Sequence, residues 1–158
     1  CGPGVNFKSI LKDLGTGGLL VGLDYSSGML EQAQQRVKRN EWSNVTLLLG
    51  DAARLPFPDC AFDRVLGTYS FSVIPGYQHA LEEVARVLKP GGTLVVIDGK
   101  QSTGPLRFLN PFVKLLARGP VSDLTRLLTD EIAQRFQIVR TMEYDFGYTF
   151  LVVAHKKE

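Results

Sequence analysis

The stretch FQIVRTMEYDFGYTFLVVAHK, residues 136–156, decides the fold class of this 158-residue chain. It consists of two runs rich in β-branched and aromatic residues, 136–144 and 148–156, separated only by the tripeptide DFG. A link of three residues is too short to cross over a sheet. The two runs are therefore predicted to be antiparallel neighbours.

Upstream of this hairpin, apolar runs alternate with helical patterns. Four short apolar runs are typical of strands buried in a parallel sheet: 19–24, 45–51, 62–71 and 92–99. Amphipathic spacing after Ser26, a candidate N-cap, predicts one helix, and residues 78–89 predict another that Pro90 and Gly91 end. We therefore predict an α/β fold, a Rossmann-like doubly wound sheet that is mostly parallel and ends in an antiparallel hairpin.

Composition places the chain among ordinary soluble domains. Hydrophobic residues make up 44% and charged residues 22%, which is typical of one globular domain. The net charge is +2, and the basic residues are scattered, so we expect no nucleic-acid partner. Two cysteines, Cys1 and Cys60, have no metal-ligand spacing, so we expect no metal and a reducing cytoplasm.

Candidate ligand-binding residues follow the strands, because open parallel sheets bind ligands at the carboxyl ends of their strands. Gly2 and Gly4 remove side chains where a ligand would approach the backbone, although a plain turn before the helix starting at Asn6 is the alternative. Asp24 lies twenty residues beyond Gly4. A carboxylate at that spacing accepts the hydroxyls of a ribose, and the alternative is an N-cap.

Asp51 ends the next predicted strand and suggests a purine site. A carboxylate there can accept from an exocyclic amine, and Ala52 leaves room for a ring. The alternative is a loop acid that accepts its own backbone N–H groups. Met29 could cover the other side of an adenine, but it is also an ordinary core residue.

Four stretches together resemble one known family: CGPGVN (1–6), VGLDYSSGMLEQA (21–33), GDAARLPFPDCAFDRV (50–65) and ALEEVARVLKPGGTLVVID (80–98). The family is the class I S-adenosylmethionine-dependent methyltransferases. The closest likeness is to its branch of ubiquinone and menaquinone biosynthesis enzymes and related small-molecule methyltransferases. The resemblance implies methyl transfer from S-adenosylmethionine, with S-adenosylhomocysteine as product, to a small-molecule or lipid-like acceptor.

The resemblance also implies a set of cofactor-binding residues: Cys1, Gly2, Gly4, Asp24, Tyr25, Met29, Asp51, Ala52, Thr68 and Tyr69. The first three would line the methionine moiety. Asp24 would hold the ribose, and Tyr25 and Met29 would border the adenine. Asp51 would meet the adenine amine. Thr68 and Tyr69 would face the methionine part and the acceptor.

Two features of the family pattern are missing from the sequence. Family members have a helix and a central strand before the Cys-Gly turn, so we expect residues 1–158 to form a single methyltransferase domain that lacks its first strand. No general base stands out, and we assign no catalytic residue. Tyr69 is the one candidate partner for the acceptor.

Two other functions are also compatible with the sequence. A nicotinamide-dependent oxidoreductase shares a glycine turn and a ribose acid, but its G-x-G-x-x-G fingerprint needs a glycine where this chain has Phe7. A non-catalytic protein that keeps the methyltransferase fold is the second alternative.

The segment at about 100–128 is predicted to contact the acceptor. A helix is expected between Asn110 and Arg118, with a broad apolar face and few charges. A lid over the site is one interpretation of this helix. The other is weak contact of residues 106–118 with a membrane surface, where their basic side chains would meet anionic headgroups.

Overall fold

The structure, a computed structural model, describes residues 1–101, 107–111 and 128–157. The chain divides into two compact units, Cys1–Arg54 and Leu55–Glu158, and each is described by itself. The single-domain organisation stays a prediction. Most of the segment 100–128 lies outside the described residues, and with it the predicted helix after Asn110.

The first unit is a two-stranded parallel sheet with two helices. In chain order it contains α1 (Phe7–Leu14), β1 (Leu20–Asp24), α2 (Ser27–Arg39) and β2 (Val45–Leu49). β1 and β2 pair in parallel, as the alternation predicts, with Asp24 opposite Leu49. The carboxyl ends of the two strands therefore lie side by side.

The core of the first unit forms around Phe7. Phe7, Ala33 and Val37 are buried, and Trp42 packs against them. The rings of Phe7 and Trp42 meet edge to face, with centroids 6.4 Å apart. Phe7, which stands where the dinucleotide-binding fingerprint needs a glycine, is thus a core residue.

In its described residues, the second unit is a mixed four-stranded sheet with two α-helices and two 3-10 turns. Its elements are β3 (Phe62–Thr68), α3 (Tyr77–Val87), β4 (Leu88–Gly99), a 3-10 turn (Arg107–Leu109), α4 (Leu128–Arg135), β5 (Phe136–Tyr144), a second 3-10 turn (Asp145–Gly147) and β6 (Thr149–Lys156). The strand order is β3-β4-β6-β5. β3 and β4 are parallel, whereas β6 is antiparallel to both β4 and β5. The predicted terminal hairpin is confirmed.

The hairpin reverses through a left-handed backbone. Asp145, Phe146 and Gly147 have φ angles of 52°, 56° and 87°. The Tyr148 N–H donates to the carbonyl of Asp145 at 3.2 Å, and the Thr149 hydroxyl donates to the Asp145 carboxylate at 2.8 Å. These bonds close the short link that the sequence predicts.

Two predicted boundaries are wrong by a few residues. α3 ends at Val87 and β4 begins at Leu88, although the pattern predicts a helix up to Pro90. Leu88 is extended (φ −71°, ψ 139°) and pairs with Phe62. The next residue, Lys89, precedes Pro90, and the helical conformation is disfavoured for the residue before a proline, so the helix does not extend to Pro90. β3 ends at Thr68, because the next residue leaves the extended region.

Burial alternates along β4 and continues to its last acid. Leu94, Val96 and Asp98 are all fully buried, and the residues between them are half-buried. Because successive side chains of a strand point to opposite faces, Asp98 belongs to the apolar face of β4.

Candidate functional site

The carboxyl end of β1 binds the glycine turn directly. The Gly2 N–H donates to Asp24 Oδ2 at 2.7 Å, and the Ser26 N–H donates to Asp24 Oδ1 at 2.9 Å. The amino group of Cys1 donates to Asp24 Oδ2 at 3.0 Å and to the carbonyl of Leu23 at 2.6 Å. The structure thus brings Cys1, Gly2 and Asp24 together, as the resemblance implies.

Asp24 is held as an anion by these donors. Partial burial by itself raises the pKa of Asp24, but the N–H groups of Ser26 and Gly2 and the amino group of Cys1 outweigh it and hold the pKa below its usual value. The side chain keeps 19% of its surface exposed. A carboxylate has roughly four acceptor positions. Three are occupied by donors from the described residues, which leaves room on Oδ1 for another.

The two glycines of the turn differ in their surroundings. Gly2 has φ +58°, and a Cβ built on it would meet nothing within 4 Å. Gly4 is buried with φ +73°, and its Cβ would lie 2.7 Å from the ring of Phe7. Gly2 therefore offers open backbone to a ligand, whereas Gly4 makes room for the core.

Gly22, inside β1, also makes room for packing, although it was not among the residues predicted from the sequence. A Cβ there would lie 2.9 Å from Phe7 and 3.1 Å from the sulfur of Cys1. The Cys1 thiol therefore packs over the strand. The signal was present, because a glycine within a strand often marks a close approach of another group.

Two side chains beside Asp24 are exposed. Tyr25 and Met29 have 81% and 41% of their surfaces exposed, so neither belongs to the core. The N-cap of α2 is Ser26, whose hydroxyl accepts the Met29 N–H at 3.4 Å. Asp24 is therefore not the N-cap, which removes the alternative interpretation of this acid.

Asp51 is exposed and accepts a hydrogen bond from its own loop. The Ala53 N–H donates to Asp51 Oδ1 at 2.9 Å, and Ala52 between them is half-buried. The Gly50 N–H donates to the carbonyl of Asp24 at 3.0 Å, so the ends of β1 and β2 are tied together. The loop role is thus present in the structure, and an adenine contact of Asp51 stays a prediction.

In the second unit, Thr68 and Tyr69 lie at the carboxyl end of β3. Thr68 is half-buried, and Tyr69 is 60% exposed. Tyr69 has φ +47°, and its N–H donates to the carbonyl of Ile97 at 2.7 Å. A bulky residue rarely adopts this left-handed conformation. The two residues are adjacent at a strand end, as predicted, and their contact with a cofactor stays a prediction.

Glu83 and Arg86 of α3, which were not predicted from the sequence, hold the loop of residues 55–59. Arg86 donates to the carbonyls of Leu55 and Phe57 at 3.0 and 2.8 Å and to the Asp59 carboxylate at 2.8 Å. Glu83 accepts the Leu55 N–H at 2.7 Å. Hydrogen bonds with Glu83 and then Asp59 raise the pKa of Arg86, and the bond from Arg86 lowers the pKa of Glu83.

The described residues contain neither a metal-binding cluster nor a membrane-spanning helix. No cluster of three or more His, Cys, Asp or Glu side chains there has the arrangement of a metal site. No helix among the same residues is both long and apolar enough to cross a membrane.

Comparison with known proteins identifies the family. Residues 1–92 match the family described as a methyltransferase domain. The demethylmenaquinone methyltransferase of Geobacillus sp. (strain WCH70) is 31% identical over 99% of this chain and 76% of its own length. The enzyme of the same name from Listeria welshimeri is 39% identical over 66% of this chain and 44% of its own length.

Solved structures share the fold. A protein from Pyrococcus horikoshii OT3 is 26% identical, with a TM-score of 0.79 over 99% of this chain and 79% of that one. A SAM-dependent methyltransferase from Aquifex aeolicus is 23% identical, with a TM-score of 0.78 over 98% of this chain and 78% of that one. The chain belongs to the class I S-adenosylmethionine-dependent methyltransferases, whose cofactor is S-adenosylmethionine. The oxidoreductase alternative is wrong.

Proposed function

We propose that this methyltransferase holds the nucleoside half of S-adenosylmethionine at the carboxyl ends of β1 and β2 and methylates a quinone-like acceptor. One observation carries the cofactor part of this proposal. Asp24 is an oriented, partly exposed carboxylate beside the open backbone of Gly2. A ribose hydroxyl can donate a hydrogen bond to the free position on this carboxylate, and such a charge-assisted bond contributes roughly 1.5–3 kcal/mol.

The other residues of the first unit fit the same ligand. Tyr25 and Met29 expose apolar surface next to Asp24, suited to the faces of an adenine ring. Asp51, at the end of the neighbouring strand, would accept from the adenine amine, with Ala52 behind it. Gly2 and Cys1 would border the methionine part, while Gly4 supports the turn from within the core.

The chemistry requires positioning more than proton transfer. Bound S-adenosylmethionine supplies an electrophilic methyl group on a sulfonium. The task of the chain is to exclude water and orient the acceptor, and alignment of reacting groups contributes about 7–11 kcal/mol. We assign Tyr69 as the hydrogen-bond partner of the acceptor, since its phenol is exposed at a strand end.

The acceptor class is inferred from the relatives. The proteins from Geobacillus and Listeria carry the name demethylmenaquinone methyltransferase, and the chain aligns with the former over 99% of its length. We therefore propose an apolar quinone-type ring as acceptor. A single soluble domain in the cytoplasm is part of the same proposal.

Labelled-methyl transfer with the full-length protein tests the acceptor. A demethylmenaquinone with a short side chain should be methylated, and a small water-soluble phenol should be a poor acceptor. Asp63→Asn, an exposed residue paired with Lys89, serves as the control variant because it lies outside the proposed site. Binding of S-adenosylmethionine without transfer to either acceptor would favour a non-catalytic role.

The segment 100–128 is proposed to select the acceptor and to reach the membrane weakly through residues 106–118. Its basic side chains Arg107, Lys114 and Arg118 would contribute about 1 kcal/mol each near anionic headgroups. Co-sedimentation with anionic and neutral liposomes at two salt concentrations is the test. Salt-sensitive binding to anionic vesicles is expected, and failure to bind either kind would leave an ordinary lid.

A further inference from the structure

We propose that Asp98 is a positioning residue for Tyr69, acting through the turn of residues 69–72. The buried carboxyl group at the end of β4 holds that turn, and the turn presents Tyr69 at the exposed end of β3. The inference rests on the proposed function only in giving Tyr69 a contact with the acceptor.

The first observation is the burial of Asp98. It is fully buried on the face of β4 that otherwise carries Leu94 and Val96. Burying a carboxyl group is unfavourable unless its oxygens are hydrogen-bonded. Oδ2 accepts the Ser72 N–H at 3.0 Å, and Oδ1 accepts the Gly99 N–H at 2.8 Å. Asp98 Oδ2 therefore binds the loop that contains Ser72, which lies 26 residues away in the sequence.

The second observation is the strained backbone of Tyr69. Its φ of +47° is unusual for a bulky residue and persists only where surrounding contacts enforce it. Tyr69 is 60% exposed, while Phe71 and Ser72 are only 4% and 7% exposed. The chain therefore turns inward directly after Tyr69 and is fastened at Ser72.

The turn is closed tightly on both sides. A Cβ on Gly67 would lie 2.7 Å from the Phe71 ring and 3.0 Å from the Ser70 hydroxyl oxygen, so residues 70–71 fold back onto β3. The Ser70 carbonyl accepts the N–H groups of Val73 and Ile74, each at 3.1 Å. Because only two residues separate Tyr69 from Ser72, a shift at the Asp98 contact reaches Tyr69 directly.

The test is a double-mutant cycle in the full-length protein with Asp98→Asn and Tyr69→Gly. Asparagine keeps the shape of the side chain but turns an NH₂ group toward one of the two N–H donors. Glycine accepts the left-handed backbone and removes the phenol. Thermal unfolding, S-adenosylmethionine affinity by calorimetry, and acceptor kcat/KM are measured for the four proteins.

Asp98→Asn should lower acceptor kcat/KM roughly 10- to 100-fold, the cost of a misplacement of about 1 Å, and leave cofactor affinity within about threefold. In the Tyr69→Gly background it should lower kcat/KM little further, since no phenol remains to be positioned. Its effect on Tm should also be smaller there. Multiplicative kinetic effects together with additive Tm effects would overturn the proposal.

Two further variants keep the test decisive. Ile132→Val, at a fully buried residue of α4, controls for lost stability and should lower Tm without changing kcat/KM. If Asp98→Asn does not fold, Gly67→Ala displaces the same turn sterically and should lower kcat/KM with cofactor affinity retained. An unchanged kcat/KM in Gly67→Ala would then overturn the proposal. If the wild type transfers no methyl group, the proposed function fails, and the Tm cycle alone decides the role of Asp98.

Discussion

Two strands of this chain end in nearly the same sequence, LVGLD at residues 20–24 and LVVID at residues 94–98. The side-chain carboxyl groups of Asp24 and Asp98 each accept two backbone N–H groups, one from nearby in sequence and one from a distant loop. For Asp24 these are Ser26 and Gly2. For Asp98 they are Gly99 and Ser72. The local chemistry of the two ends is alike.

Their exposure is not alike. The Asp24 side chain keeps 19% of its surface, whereas Asp98 has none. An acid with a free acceptor position and access to solvent can bind a ligand. An acid enclosed by apolar neighbours can only hold the protein itself. An acid at the end of a strand can therefore be open to a ligand or enclosed within the protein, and its burial decides which of the two is possible.

The largest expected effect is on stability at the buried end. Asp98→Ala removes the acceptor of the buried Ser72 N–H and of the partly buried Gly99 N–H, and a buried unpaired donor costs about 1–3 kcal/mol. The free energy of unfolding, measured by urea titration, should therefore fall by at least about 1–3 kcal/mol. Asp63→Ala, which removes an exposed acid, is the control and should change it little. If both variants lost the same free energy of unfolding, the buried Asp98 would stabilise the fold no more than the exposed Asp63 does.

The next effect concerns the exposed end and the cofactor. Asp24→Ala should raise the dissociation constant of S-adenosylmethionine by at least about tenfold, or 1.4 kcal/mol, because a charge-assisted bond to the ribose is lost. Asp24→Asn keeps one acceptor oxygen and should bind more tightly than the alanine variant. Calorimetry that finds wild-type affinity in a folded Asp24→Ala protein would reject the ribose assignment.

A pH dependence is expected from Asp24. Its pKa lies below the usual 3.8 in the folded protein, so the unfolded chain binds the proton more tightly. The stabilisation is therefore complete above pH 3.8 and is lost as the pH falls through the lower folded pKa. Urea unfolding between about pH 2 and pH 5 should show a shallower acid loss for Asp24→Asn than for the wild type. Identical slopes would mean that the hydrogen bonds to Asp24 do not hold its charge.

The smallest effect is expected at Asp51. One of its oxygens already accepts the Ala53 N–H, and adenine would keep its stacking and shape contacts without it. Asp51→Ala should weaken S-adenosylmethionine binding by about 0.5 kcal/mol, or roughly twofold. A loss as large as that of Asp24→Ala would make the adenine amine, and not the ribose, the main anchor.

The sequence by itself determined the type and order of most elements. Patterns of period 2 and 3.6 are local. They predicted that strands alternate with helices from β1 to β2, that Ser26 caps α2, and that the chain ends in an antiparallel hairpin. The position of Asp24, the proposed ribose ligand, was also predictable, because its spacing from the glycine turn follows from one strand–turn–helix unit. The family motifs then indicated the cofactor.

Only the tertiary structure decided which of these residues are enclosed. It separated Gly2, which is open, from Gly4, which Phe7 closes, although both sit in one turn. It buried Asp98 and paired it with Ser72, 26 residues away. The physical reason is that burial and hydrogen-bond partners arise from long-range packing, and local periodicity carries no record of which distant segment covers a residue.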